Sequence, residues 1–316
     1  MMLRTDMDHL PWPIRQELRR ATAMLFEAFA ETIRGKTSEH YRAGRILKLI
    51  LHGPHMRADW NDVAPGEAFH LLAIVNYPRL ARKTQDWRLV RDRLLRAWEH
   101  GELSHPVRLT VESLERVNRA LINGVPHFVT IATEGIALYE FDGIRLETPR
   151  RLSAAERRAR GVAEFARWYE RAGQFLIGAD FYAARGDVAM AALMLHQACE
   201  HLYLCVSWSL TLHGLRTHAL DQLREVAEGL DTRLASAWPR ESPFERRVFG
   251  CIRRAYVEVR YGAHYRITPE ELAWAMDCAA SLAALVAGIC GERLELPLTA
   301  VPIGAVDRMG GTHADT

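Results

Sequence analysis

Apolar residues recur at helical spacing along most of this chain, and they break that spacing in only a few short places. Near the start they fall at Leu18, Ala21, Met24, Leu25, Phe29 and Ile33. That pattern predicts an amphipathic helix over about 13–35, opened by Pro11 and Pro13 and closed at Gly35. Residues 46–51 and 71–75 are instead short apolar runs rich in β-branched and aliphatic residues and bounded by Gly, Pro or Asn, and they predict two buried strands. A helix is predicted over 83–100, with Trp87, Val90, Leu94 and Trp98 on one side, and an alternating strand over 107–111. Ser113 caps a helix that stops at Asn123-Gly124, and a short helix over 128–134 follows. Residues 136–139 and 144–146, either side of Asp142-Gly143, predict a last strand or hairpin.

After residues 149–153, which are basic and contain proline, the pattern becomes purely helical. Helices are expected over 154–185, 187–212 with Asp187 as cap, 218–228 and 243–261. A last one is opened by Thr268 with Glu271 three residues on, a capping box. The fold class read from this is α+β: a small mixed sheet in domain 1–149, an all-α helical bundle in 150–294, and a tail at 295–316 expected to be disordered.

Composition narrows the class without naming a function. With 316 residues, 49% hydrophobic and 25% charged, the chain is an ordinary globular protein of about two domains. A net charge of +2 gives no global polyanion signal. Basic clusters at 15–20, 79–96, 150–160 and 240–254 read as solvated helix faces. They become a nucleic-acid footprint only if several meet on one surface. The five cysteines form no Cys-x-x-Cys pair and sit in apolar helical contexts, which predicts reduced side chains and a cytoplasmic protein. No apolar signal core and no run of about 18 apolar residues occur, so no membrane association is expected. The sequence holds no P-loop, no GxGxxG and no Ser-His-Asp arrangement.

The stretch 45–76 carries the first resemblance. A strand ends at Gly53, Arg57 lies just beyond, and a second strand begins near Phe69. This layout resembles the minimal nucleotidyltransferase fold of the polymerase-β superfamily. There the first strand ends in Gly-Ser, an Arg-Gly follows, and the second strand opens with Asp-x-Asp. Here Pro54 stands for the serine, Ala58 for the second glycine, and Ala68 and His70 for the two aspartates. In the family those carboxylates hold paired Mg²⁺, which wants hard oxygen ligands. Of Arg108, Thr110 and Glu112 on one strand face, only Glu112 is acidic. The resemblance therefore implies a degenerate nucleotidyltransferase-like domain with no cofactor, Mg²⁺ being expected only if the site were active. Gly53, Arg57 and His70, with His52, would remain as an anion cradle or as a packing relic.

The second resemblance lies in the helical half. Leu195-His196-Gln197-Ala198-Cys199-Glu200, Thr217-His218-Ala219-Leu220, Ala255-Tyr256-Val257-Glu258-Val259-Arg260-Tyr261 and His264-Tyr265-Arg266-Ile267 resemble the HEPN family over about 162–289. Ser113-Leu114-Glu115-Arg116-Val117-Asn118 and Glu134-Gly135-Ile136-Ala137-Leu138-Tyr139 look like the fusions that join the two domains in one bacterial chain. Many HEPN members are metal-independent ribonucleases that pair an arginine with a histidine across four to six intervening residues and dimerise to complete the site. Here only three residues separate Arg260 from His264, and they share a helical face only if the helix runs through Gly262.

The resemblance thus implies an RNA- or nucleotide-directed HEPN protein of toxin–antitoxin or defence type, a homodimer through the bundle with a cognate protein partner. Arg260 and His264 are the candidate catalytic pair; Tyr261, Tyr265, His196 and Glu200 are candidate RNA or nucleotide contacts. His196, Glu200 and His218 also spell a zinc set, but none of them lies at metal-site spacing from a third ligand, and interface polar residues are the plainer reading. Two further readings stay open: a non-catalytic interaction protein, and residual AMP transfer.

Overall fold

The computed structural model describes residues 3–56, 66–215, 217–262 and 264–296. Arg57, and the expected tail beyond Leu296, lie outside the described residues. The chain divides into two compact units, Met1–Arg151 and Leu152–Thr316.

The first unit is built on a mixed sheet of β1 (Ile46–His52), β2 (Phe69–Val75), β3 (Val107–Ser113) and β4 (Ile136–Glu140), in the order β3-β2-β1-β4. β1 runs antiparallel to both β2 and β4, while β2 and β3 are parallel. The helices are α1 (Trp12–Ile33), α2 (Glu39–Arg42), α3 (Pro78–Arg82), α4 (Arg88–Glu99), α5 (Leu114–Ile122) and α6 (Pro126–Glu134). Successive side chains of β2 enter opposite cores. Phe69, Leu71, Ala73 and Val75 join Leu18 and Leu25 of α1 and Leu94 of α4, while Leu72 and Ile74 join Leu121 and Phe128 of α5 and α6. A strand buried on both faces reads as an unbroken apolar run, the signal the sequence carries at 71–75.

One expectation changes here. The helix expected over 83–100 is a 3₁₀ turn at Thr84–Trp87 followed by α4, and the short α3 precedes it. Lys83 leaves helical geometry at ψ 94°, which lets the Asp86 carboxylate take the Tyr41 hydroxyl at 2.9 Å and the Trp87 indole donate to the Leu80 carbonyl at 2.8 Å. Of the strand or hairpin expected over 136–146, the structure forms the single strand β4. Gly143 turns the chain at φ +78°, and Leu146 is buried in the core without pairing in the sheet.

The second unit is a bundle of α7 (Ala154–Ala183), α8 (Val188–Thr211), α9 (Leu220–Leu230), α10 (Pro243–Tyr261) and α11 (Pro269–Arg293), with a 3₁₀ turn at Thr232–Ala237. Ser153 with Glu156, Ser242 with Glu245 and Thr268 with Glu271 form reciprocal capping boxes at the starts of α7, α10 and α11. α8 is the hub, packing on α7, α9, α10 and α11 and buried around most of its circumference. It ends where Leu212 adopts φ +53°. α11 is long and apolar enough to cross a membrane by composition, yet its Leu272, Ala275, Ala279, Leu282 and Val286 lie in the bundle core. All five cysteines are buried and free.

Candidate functional site

At the end of β1, Gly53 sits at φ +78°, and a Cβ there would stand 3.2 Å from the His70 ring. His52 pairs with His70 across β1 and β2. The His52 ring meets the edges of His70 and of His127, from α6, with centroids 5.6 and 5.7 Å apart. Burial, with the His70 charge adding to it, pushes the His127 imidazole down to about 4. Burial, then His105 and His70, likewise takes His55 down to about 4. Both are neutral at pH 7.

This group of side chains does not fit a Mg²⁺ pair. Ala68 is buried and offers no donor. His70 offers an imidazole, 3.7 Å from Glu67. Arg108, not a carboxylate, faces His70 in the β2–β3 register, and Glu112 lies four residues further along β3, about 13 Å away. Burial raises the Glu112 carboxyl, opposed by Arg116, whose Nε is 2.9 Å from it. Among the described residues no group of three His, Cys, Asp or Glu side chains could hold a metal ion.

A different arrangement stands in the second unit. Glu200 of α8 is buried, and both of its carboxylate oxygens lie 3.0 Å from Nδ1 of His218, just before α9. An ionised carboxylate only accepts, so Nδ1 carries the proton and Nε2 of a neutral His218 is the basic nitrogen. Burial pushes the Glu200 carboxyl up, but the imidazoles of His196 and His218 outweigh it and leave it below its usual range. The His218 ring, 58% exposed, stacks on Tyr256 of α10 with centroids 4.5 Å apart and planes 17° apart. His196 also stacks on Tyr256, at 5.1 Å, and donates Nδ1–H to the Ile252 carbonyl at 3.0 Å. The Arg260 guanidinium lies 4.2 Å from the Tyr256 centroid, and its Nη2 donates to the Tyr261 hydroxyl at 2.7 Å. One tyrosine ring thus gathers a carboxylate-oriented imidazole and a solvent-facing guanidinium.

The expected residues fare unequally. Arg260 and Tyr261 are exposed at the end of α10. His264 does not share their face: α10 stops at Tyr261, and Gly262 turns extended at ψ 151°. Tyr265 is half-buried, raised by burial, and donates its hydroxyl to the Cys251 carbonyl at 3.2 Å, which is a packing role and not a stacking platform. His196 and Glu200 are too buried to touch a ligand and act from behind His218 and Tyr256. Glu200 bonds His218. The residues the sequence undervalues are His218 and Tyr256. Their signal was only their membership in the HEPN-like runs, because the loop before α9 brings His218 back over α10 across a long sequence gap.

The HEPN domain model matches residues 165–289. No curated protein matches the chain. A nucleotidyltransferase-like protein from Exiguobacterium sibiricum is 17% identical over 84% of this chain and 78% of its own, and its TM-score of 0.29 is too low to carry an argument. The bundle residues 165–289, which hold Glu200, His218, Tyr256 and Arg260, are therefore a HEPN domain, and it follows the α+β unit in the chain.

Proposed function

We propose that the HEPN domain binds RNA over the His218–Tyr256–Arg260 column and cleaves it without a metal. The observation that supports this is the Glu200–His218 contact at 3.0 Å beside a guanidinium on the same tyrosine ring. In this reading Nε2 of His218 takes the proton of a 2′-hydroxyl, whose oxygen attacks the adjacent phosphorus. The 5′-oxygen leaves with a proton from water, giving a 2′,3′-cyclic phosphate. Arg260 neutralises the phosphate, and Tyr261 offers a face for a base. Glu200 fixes the His218 tautomer from behind. Dimerisation through the bundle, a cognate protein partner and a toxin–antitoxin or defence setting follow from the family resemblance and belong to the same proposal. The α+β unit has, in this reading, lost nucleotidyl transfer, since the positions expected to hold Mg²⁺ offer alanine and imidazole.

The test is cleavage of end-labelled RNA in EDTA. The parent should cleave, His218→Ala and Arg260→Ala should lose about 10²–10⁴-fold, and Glu200→Gln should fall in the same direction. His264→Ala should stay close to the parent. Loss of cleavage on His264→Ala with His218→Ala unaffected would sink this assignment. A parent that neither cleaves nor binds RNA would leave the non-catalytic interaction protein as the better reading. Mg²⁺-dependent labelling of a protein from ATP would restore the AMP-transfer reading for the first unit.

A further inference from the structure

We infer that the first unit carries a second nucleic-acid contact surface, at the end of the sheet opposite Gly53. It does not depend on the reading given to the HEPN domain. Two stretches far apart in sequence meet there. Asn76, after β2, accepts from the Arg45 amide at 2.9 Å and donates to the Ala43 carbonyl at 2.7 Å, tying the entry of β1 to the start of α3. Tyr41 and Asp86 close the same junction through the 2.9 Å hydrogen bond between them. Lys36 reaches Asp86 at 3.0 Å, and Lys83 meets the Tyr41 hydroxyl at 3.4 Å.

Around this neutralised centre stand Arg34, Arg42, Arg79 and Arg82, all exposed. Among the described residues no carboxylate ion-pairs with any of the four, whereas the neighbouring Arg88 and Arg93 are matched to Asp92 and Glu31. Glu39 is the exposed acid of α2. The sequence run 79–96 is therefore split by the fold. In its rear half Arg88 and Arg93 are matched within the protein, and its front half joins Arg34 and Arg42 around the same junction. That is the arrangement that separates a footprint from a solvated helix face. The cations come from the C-terminal end of α1, α2 and α3, so they are spread over a surface and not stacked on one helix. A repeating phosphate backbone matches spread, unpaired guanidinium groups better than a single acidic side chain does. β1 separates the patch from Gly53 by about 20 Å, so it is not part of the nucleotidyltransferase-like cradle.

The test uses the full-length chain, a fluorescein-labelled 30-nucleotide 2′-O-methyl RNA, which has no free 2′-hydroxyl and stays uncut, and anisotropy across a KCl series. Arg42→Ala, Arg79→Ala and Arg82→Ala combined should weaken binding about tenfold or more and flatten the dependence of log K on log salt by about 2. The same three substitutions made in an Arg260→Ala background should flatten the slope by the same amount, which distinguishes this surface from the HEPN column. Because the three side chains are exposed and unpaired, the variant should melt with the parent. Unchanged affinity and slope in the triple variant would overturn the inference. Displacement of the RNA by polyglutamate at equal charge concentration would do so as well, because it would mark an acidic-protein site.

Discussion

His55 gives the sharpest numerical prediction. Its ring is 1% exposed, its Nδ1 has no hydrogen-bond partner, and it is packed against Phe69 and His105. Burial lowers it from 6.5 to about 4 in the folded chain. Between those values the unfolded chain binds a proton that the folded chain refuses, so stability is present above pH 6.5 and drains away as the pH falls toward 4. Applying the linkage relation to that interval, the loss from this one group between pH 7 and pH 5 is on the order of 2 kcal/mol. The perturbation is His55→Gln, which removes the titration and keeps a polar side chain of similar reach. Urea unfolding of parent and variant at pH 7, 6 and 5, followed through intrinsic tryptophan fluorescence, reads the difference. The parent should lose stability more steeply than His55→Gln across that range, whatever their offset at pH 7. Parallel pH profiles would refute the argument, because they would mean that His55 charges in the native state without cost.

Three further outcomes follow from the same structure. Gly53→Ala puts a side chain at φ +78° and 3.2 Å from the His70 ring, so it should cost about 1–2 kcal/mol in a melting experiment, and an unchanged melt would show that the turn relaxes. Arg224→Ala removes a buried guanidinium that donates to the Trp238 carbonyl at 2.7 Å and lies over Phe249 at 4.9 Å; with Glu228 then left without it, a loss of about 3 kcal/mol in denaturant unfolding is expected. Tyr265→Phe should cost about 1 kcal/mol of stability while RNA affinity holds, and a fall in affinity at constant stability would return Tyr265 to the binding surface.

Much of the fold is legible in the chain because local and tertiary preferences agree. The short apolar runs of β1 and β2, the Ser113 and Asp187 caps and the Thr268–Glu271 box all specify their elements in place. The break between α3 and α4 is not legible. It depends on Asp86 turning to Tyr41, a residue 45 positions earlier, so the helix expected from residue 83 opens as a 3₁₀ turn. The α10 terminus is half legible: Gly262 is a plain stop, and accepting it separates Arg260 from His264. The imidazole best placed beside Arg260 instead reaches it through tertiary structure. Glu200 and His218 are 18 positions apart, and Tyr256 lies on a third helix. Pattern alone cannot place three such residues together, while the family likeness marks the runs that contain them.

α8 supplies a last consequence. Because it is enclosed by four other helices, the backbone around Glu200 should be among the slowest in the protein to exchange its amide hydrogens. The carboxylate is thus a fixed post to which the histidine is moored. Its bearing on the bundle surface is set from the most rigid part of the molecule.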